Sequence, residues 1–211
     1  RYNKPGFDLF DYNIYAICSD GDLMEGISSE SASLAGHLKL GNLIYLYDDN
    51  HISIEGSTEI TFTEDTAKRF EAFGWHVQTV DDGNDVEKIS EAIKNAKDEK
   101  NKPSIIKVRT HIAYGSPNKV DTAGAHGSPL GAEEVRATKI NLGWDPDKFF
   151  YVPDEVLKHL NEVGIKGKAK RDEWNKLFAE YKKKYLVLAD EYENFSKGIF
   201  PDGWTDALPV F

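Results

Sequence analysis

The 211-residue chain contains a single cysteine and no apolar run of the ~20 residues that a membrane-spanning helix requires. One cysteine excludes an internal disulfide framework and is typical of a reducing compartment, so we expect a cytoplasmic location. Positive charge is also scarce, because 26 Lys and Arg residues face 36 Asp and Glu residues, giving a net charge of −10. This balance argues against nucleic acid and anionic membranes as partners.

Apolar runs alternate with segments of helical periodicity over most of the chain. Strands are predicted at 13–18, 43–47, 75–80 and 104–109, and helices at 27–40, 63–73, 85–98 and 131–142. Strands that alternate with helices predict an α/β fold, a parallel sheet with helices on both faces. The segment 110–130 is predicted to be a long loop, and loops of this length are usually functional or disordered.

The charge pattern divides the chain into three parts. Residues 1–150 carry the alternating pattern and are predicted to form the α/β domain. Lys- and Glu-rich segments at 153–162 and 169–196 predict helices, so residues 151–200 are interpreted as a helical extension of that domain. Residues 201–211 are predicted to begin a linker to a further domain.

Two polar residues follow consecutive predicted strands. Asp20 and Asn50 lie 30 positions apart, a spacing that fits one strand–helix–strand unit. Both side chains would then lie at the carboxyl ends of neighbouring parallel strands, where ligands of open α/β sheets bind. One carboxylate and one amide, together with backbone groups, suit Mg²⁺ shared with a phosphate. Ca²⁺ or Mn²⁺ could occupy the same oxygen ligands.

An Asp-Gly pair followed by Asn about thirty residues later resembles the diphosphate motif of thiamine diphosphate enzymes. The surrounding residues resemble transketolase more specifically, over nearly the whole chain from about residue 13. The matching motifs are Met24–Ser28, Ser33–Leu40, Tyr47–Asn50 with Ile52–Ile54, Phe70–Val77, Gly115–Lys119 and His126–Gly131. The resemblance implies the thiamine diphosphate-binding fold, with this chain covering most of the diphosphate-binding domain.

The resemblance also assigns roles to individual residues. Asp20, Asn50 and the backbone carbonyl of Ile52 would bind the metal ion. Gly21 and Asn50 would contact the cofactor diphosphate, Gly21 through a backbone N–H that no side chain obstructs. His126 would lie over the reactive part of the cofactor, hydrogen-bond to cofactor or substrate, and transfer protons as a catalytic residue. The family usually has Gly where this chain has Ser19, a small residue that should fit.

Activity and assembly follow from the same resemblance. Transketolases move a two-carbon ketol unit from a ketose phosphate to an aldose phosphate, with thiamine diphosphate as electron sink. They act as homodimers on sugar-phosphate substrates. The family's upstream histidines and its pyrimidine-binding domain, with the activating glutamate, have no counterpart in these 211 residues. We therefore expect the 211 residues alone to lack transketolase activity, and we favour a truncated longer chain over a natural split subunit.

Alternative functions stay open at this point. A dihydroxyacetone synthase-type transketolase, which uses formaldehyde as acceptor, would share these motifs. Deoxyxylulose-phosphate synthases and dehydrogenase E1 subunits share the Asp-Gly…Asn spacing but fit the neighbouring motifs less well. A subunit of a split enzyme, or a non-catalytic protein that has kept the fold, is a hypothesis from a different class. The intact set of Asp20, Asn50 and His126 disfavours loss of function.

Other polar residues near these motifs receive simpler interpretations. Three acidic residues are interpreted as charge-balancing neighbours of the metal site: Asp22, Asp48 and Asp49. His51 and His111 are interpreted as packing or surface residues. Cys18 lies in a predicted strand and is more typical of a small core residue than of a nucleophile.

Overall fold

The computed structural model describes residues 1–206 and 208–209. Residues 207, 210 and 211 of the predicted linker lie outside this range. The chain forms two compact units, one of Tyr12–Phe149 and one that combines Arg1–Asp11 with Phe150–Phe211. None of the helices in the described part of the chain is both long and apolar enough to cross a membrane.

The first unit alternates strands and helices, as predicted. Its elements are β1 Ile14–Ser19, α1 Asp20–Met24, α2 Gly26–His37, β2 Leu43–Asp49, β3 Ile52–Ser53, β4 Gly56–Ser57, α3 Thr66–Ala72, β5 His76–Val80, α4 Val86–Asp98, β6 Ser104–Arg109 and α5 Ala132–Asn141. Strands β1, β2, β6 and β5 form a parallel four-stranded sheet in that order. Short strands β3 and β4 form an antiparallel hairpin.

Helices cover both faces of the sheet, which confirms the predicted fold class. Tyr47 and Ile105 point to one face, where they pack with residues of α2 and α3. Ile44 and Ile106 point to the other face and pack against α4. Because successive side chains of a strand alternate between faces, each central strand contributes to both cores. Near-continuous apolar sequence in β2 and β6 is the consequence.

The segment after β1 is a short helix that was not among the predicted helices. Ser19 starts it, with its backbone N–H donating to Asp22 Oδ2 over 2.8 Å and its hydroxyl over 3.0 Å. This local pairing at the helix start replaces lost backbone hydrogen bonds. The hydroxyl contact is one that glycine, the usual residue of the resembled family at this position, could not make.

The second unit is built on two helices, α6 Asp154–Lys184 and α7 Leu186–Ser196. Two predictions about them were wrong: the helix does not pause between 162 and 169, and the break falls at Tyr185. Glycine lowers helix propensity by only about 1 kcal/mol, so Gly164 and Gly167 do not interrupt α6. The helix pair buries Tyr181 together with Phe7 from the chain start.

Candidate active site

Asp20 and Asn50 lie at the carboxyl ends of adjacent parallel strands. Ser19, the last residue of β1, is in register with Asp48 of β2. Asp20 begins α1 directly after β1, and Asn50 follows β2, so both lie at one edge of the sheet. Both residues are buried, with 2% and 8% of their surface exposed. Both residues therefore lie at the carboxyl ends of neighbouring parallel strands, as their spacing predicted.

In the described part of the chain, one of the two oxygens of the Asp20 carboxylate accepts a hydrogen bond. Tyr47 donates its hydroxyl hydrogen bond to Asp20 Oδ1. Asp20 Oδ2 is buried and has no hydrogen-bond partner among the described residues. Burial raises the pKa of Asp20, and the hydrogen bond from Tyr47 offsets part of that rise. A buried carboxylate oxygen without a partner is costly, and a bound cation would remove the cost.

Asn50 shapes the turn that carries Ile52. Its Oδ1 accepts a hydrogen bond from the Ile52 N–H over 2.9 Å, and its Nδ2 donates to Asp48 Oδ2 over 3.3 Å. His51 between them has a φ of 64°, a left-handed conformation that non-glycine residues seldom adopt. The amide therefore stabilises a tight turn that keeps Ile52 beside Asn50 and leads into the β3–β4 hairpin.

The three residues predicted to bind a metal ion offer oxygen atoms, the ligand type that hard cations prefer. In the described part of the chain, no group of three His, Cys, Asp or Glu residues is arranged to hold a metal. The predicted set supplies one carboxylate, one amide and one backbone carbonyl. Mg²⁺ is commonly bound by one or two carboxylates plus substrate phosphates. The unpartnered Asp20 Oδ2 is the feature that favours such an ion here.

A cleft of about 650 Å³ brings Asn50 and His126 together. Thr110, His111 and Gly127 contribute to the same lining. His111, expected to be a packing or surface residue, lies in the cleft, and its Nδ1 is 2.7 Å from Asp121 Oδ2.

Asp20 lines a second pocket, of about 340 Å³, together with Asp49 and Lys107. Of the predicted site residues, Asn50 and His126 therefore share the main cleft, and Asp20 lines the second pocket. Tyr47 lines both pockets. A Cβ at Gly21 would have no heavy atom within 4 Å, so that position is open.

The loop that carries His126 is anchored by Glu134 of α5. Its carboxylate accepts hydrogen bonds from the hydroxyl of Ser116, from Asn118 N over 2.9 Å and from Asn118 Nδ2 over 2.9 Å. These donors lower the pKa of Glu134 to about 2, the Ser116 bond contributing most. Lys119 adds a hydrogen bond from Nζ to the backbone carbonyl of Leu130 over 2.9 Å. The Gly115–Lys119 motif thus has a structural role in holding the loop.

Sequence reasoning did not single out Tyr47, Lys107 or Glu134. Tyr47 lies in an apolar strand and resembles an ordinary core residue. The one signal for Lys107 was its charge within the apolar run of β6, which is typical of a lysine paired with a buried acid. Its Nζ lies 3.2 Å from Asp49 Oδ2. Glu134 carried no signal, because it lies sixteen residues or more from its partners in sequence.

Comparison with known proteins adds independent evidence. The family model described as transketolase, thiamine diphosphate binding domain, matches residues 1–201. The chain is 51% identical to the transketolase of Nostoc sp. and 53% identical to transketolase 10 of Craterostigma plantagineum, each over 212 aligned residues. Both alignments cover 100% of this chain but 32% and 31% of those relatives, so the chain spans about a third of their length.

Solved structures agree with this result. Transketolase from Leishmania mexicana superposes with a TM-score of 0.92 at 38% identity. A Pichia stipitis transketolase in complex with sedoheptulose 7-phosphate superposes with a TM-score of 0.91 at 45% identity. Each covers 100% of this chain and 31% of the solved chain. The chain therefore belongs to the transketolase family and corresponds to its thiamine diphosphate-binding domain.

Proposed function

We propose that the complete protein is a transketolase that transfers a two-carbon ketol unit from a ketose phosphate to an aldose phosphate. The observation that carries this proposal is the cleft that Asn50 and His126 share, at the sheet edge where Asp20 presents a buried, unpartnered oxygen. In a chain of the transketolase family, this arrangement would hold the cofactor and face the substrate. Thiamine diphosphate supplies, when bound, the electron sink for cleavage and formation of the C–C bond.

Three residues would hold the divalent ion that accompanies the diphosphate. Asp20 Oδ2 would provide a carboxylate oxygen, Asn50 Oδ1 an amide oxygen and Ile52 its backbone carbonyl. Asn50 Oδ1 accepts one hydrogen bond from the Ile52 N–H, and a carbonyl oxygen has a second lone pair for a metal. Mg²⁺ is the ion we propose, and Ca²⁺ or Mn²⁺ suits the same oxygens. Gly21 and Asn50 would contact the diphosphate.

His126 would act on the substrate. His126 directly follows the short 3₁₀ turn Ala123–Ala125 and lines the open cleft. From that position it can donate a hydrogen bond to a substrate oxygen and move a proton to or from it, which typically contributes 10²–10⁴-fold to rate, an order-of-magnitude figure. Glu134 anchors the same loop at Asn118.

Sugar phosphates are the proposed substrates and a homodimer the proposed assembly. Related structures contain fructose 6-phosphate and sedoheptulose 7-phosphate, which supports anionic sugar substrates. These 211 residues carry a net charge of −10, so an anionic substrate would need a local positive site. A cytoplasmic location remains our proposal from the single cysteine.

The test is two-carbon transfer by the full-length native protein with a ketose phosphate donor. Ribose 5-phosphate and formaldehyde serve as alternative acceptors. We expect transfer to ribose 5-phosphate, a loss of about 100-fold or more in kcat for His126→Asn, and no change for His159→Asn, an exposed histidine of α6. A preference for formaldehyde would indicate a dihydroxyacetone synthase-type enzyme. Absence of transfer to either acceptor would contradict the proposal.

A further inference from the structure

Asp20 belongs to a buried polar network with Tyr47 and Asp49. The hydroxyl of Tyr47 contacts two carboxylates, Asp20 Oδ1 and, at 3.1 Å, Asp49 Oδ1. Tyr47 is 2% exposed, and the two acids are 2% and 4% exposed. Two carboxylates around one hydroxyl in a buried site are unfavourable unless other groups compensate their charge. A phenylalanine would fill the core equally well, so packing alone does not explain a tyrosine here.

An ammonium group and an imidazole lie beside Asp49. Lys107 Nζ lies 3.2 Å from Asp49 Oδ2, and His51 Nε2 lies 3.2 Å from Asp49 Oδ1. Lys107 reaches this position because β6 is the parallel neighbour of β2, with Lys107 in register with Tyr47. Asp20 has no such partner, since the Tyr47 hydroxyl is its hydrogen-bond donor and its second oxygen has none among the described residues.

A tyrosine hydroxyl has one proton and can donate it to one carboxylate at a time. Lys107 already balances the charge of Asp49, so Asp49 needs the Tyr47 proton less, whereas Asp20 has no other donor among the described residues. The pair Asp49–Lys107 therefore directs the Tyr47 proton to Asp20 Oδ1. This fixes the orientation of the Asp20 carboxylate and leaves Oδ2 available.

We propose that Tyr47, backed by the Asp49–Lys107 pair, is a positioning residue that orients the Asp20 carboxylate for the divalent ion. The inference rests on the proposed function, in which Asp20 binds the metal. Residues that orient a metal ligand typically change metal affinity by 10–100-fold when removed, an order-of-magnitude range. Tyr47 would act through Asp20, because its hydroxyl faces the carboxylates of Asp20 and Asp49.

The test is Mn²⁺ affinity, measured by electron paramagnetic resonance on the full-length protein with thiamine diphosphate present. Tyr47→Phe should weaken Mn²⁺ binding about 10–100-fold. Tyr45→Phe is the matched control, because Tyr45 lies two residues away on the same face of β2 and packs against Trp75. It should bind like the wild type. Thermal unfolding of the cofactor-free variants separates a loss of affinity from a loss of fold.

Lys107→Met is a second test, in which the charge effect alone and the proposed role predict opposite changes in Mn²⁺ affinity. Removing a positive charge near a cation site would by itself strengthen Mn²⁺ binding. If Lys107 directs the Tyr47 proton to Asp20, the substitution should instead weaken binding, and it should add little to Tyr47→Phe in the double variant. This variant keeps Tyr47 in the core, so it decides the question even if Tyr47→Phe does not fold. Stronger Mn²⁺ binding by Lys107→Met would overturn the role of the pair.

Asp20→Asn distinguishes failure of this inference from failure of the proposed function. If Asp20→Asn loses Mn²⁺ while Tyr47→Phe and Tyr45→Phe both bind like the wild type, Asp20 binds the metal and Tyr47 does not orient it. If the wild type and Asp20→Asn bind Mn²⁺ equally, the metal site itself is elsewhere and both proposals fail.

Discussion

Gly36 of α2 lies where no side chain can fit. A Cβ built at this position would lie 1.8 Å from the backbone oxygen of Phe73 and 2.9 Å from its carbonyl carbon. Phe73 directly follows α3, so the backbone of α2 closely approaches the end of α3 at this point. Trp75 Cδ1, at 3.5 Å, closes the remaining side. We predict that Gly36→Ala destabilises the α/β unit.

The size of the effect follows from the overlap. Ordinary van der Waals contact begins near 3.4 Å, so the Phe73 carbonyl or α2 would have to move by roughly 1.5 Å. Overpacking of a well-packed core costs about 1–3 kcal/mol, and a displacement of backbone belongs at the upper end. Alanine regains about 1 kcal/mol over glycine within a helix. The expected net loss is therefore about 2 kcal/mol.

Urea unfolding of the native protein measures this loss. Gly167→Ala is the matched control, since Gly167 is also helical but a Cβ there meets no heavy atom within 4 Å. The control should stabilise α6 by about 1 kcal/mol, so the two variants should shift the unfolding midpoint in opposite directions. A Gly36→Ala protein as stable as Gly167→Ala would show that α2 and α3 do not approach this closely.

Two further predictions concern the loop anchor and the core. The donors Ser116 and Asn118 hold the pKa of Glu134 at about 2, below its ordinary 4.5, so the stabilisation from this carboxylate is full above pH 4.5 and is lost as pH falls toward 2. Unfolding free energies of wild type and Glu134→Gln should differ at neutral pH and converge in acid; a constant difference would contradict this. Trp75→Phe removes the hydrogen bond from Nε1 to the Ala32 carbonyl, 2.8 Å long and buried, and should cost about 1–3 kcal/mol in urea unfolding; an unchanged midpoint would refute it.

The fold was predictable from sequence to the extent that local patterns determine it. Apolar runs and helical periodicity located the four main strands, because a two-faced parallel sheet requires apolar residues on both sides of each strand. The length of α6 was not predictable, because Gly164 and Gly167 reduce propensity without preventing helix formation. The short helix after β1 depends on one side-chain contact between Ser19 and Asp22, which a strand–turn pattern does not show.

Residue positions in the site were predictable only where strands that are consecutive in the chain also pair in the sheet. Asp20 and Asn50 follow consecutive strands that pair directly, so their proximity could be derived. The position of Lys107 could not be predicted, because β6 pairs with β2 although the two strands are not consecutive in the chain. The role of Tyr47 depends on that same register, and a hydroxyl in an apolar run gives no sign of which acid it will reach.

The most direct test of the central claim is the affinity of the native protein for thiamine diphosphate in the presence of Mg²⁺, measured by isothermal titration calorimetry. Wild type and Asp81→Asn, an exposed acid outside the site, should bind equally and only with Mg²⁺ present. Asp20→Asn should bind at least about 10-fold more weakly, since even the loss of a residue that only orients a metal ligand lowers metal affinity about 10–100-fold. Equal affinity of Asp20→Asn and wild type would contradict the account.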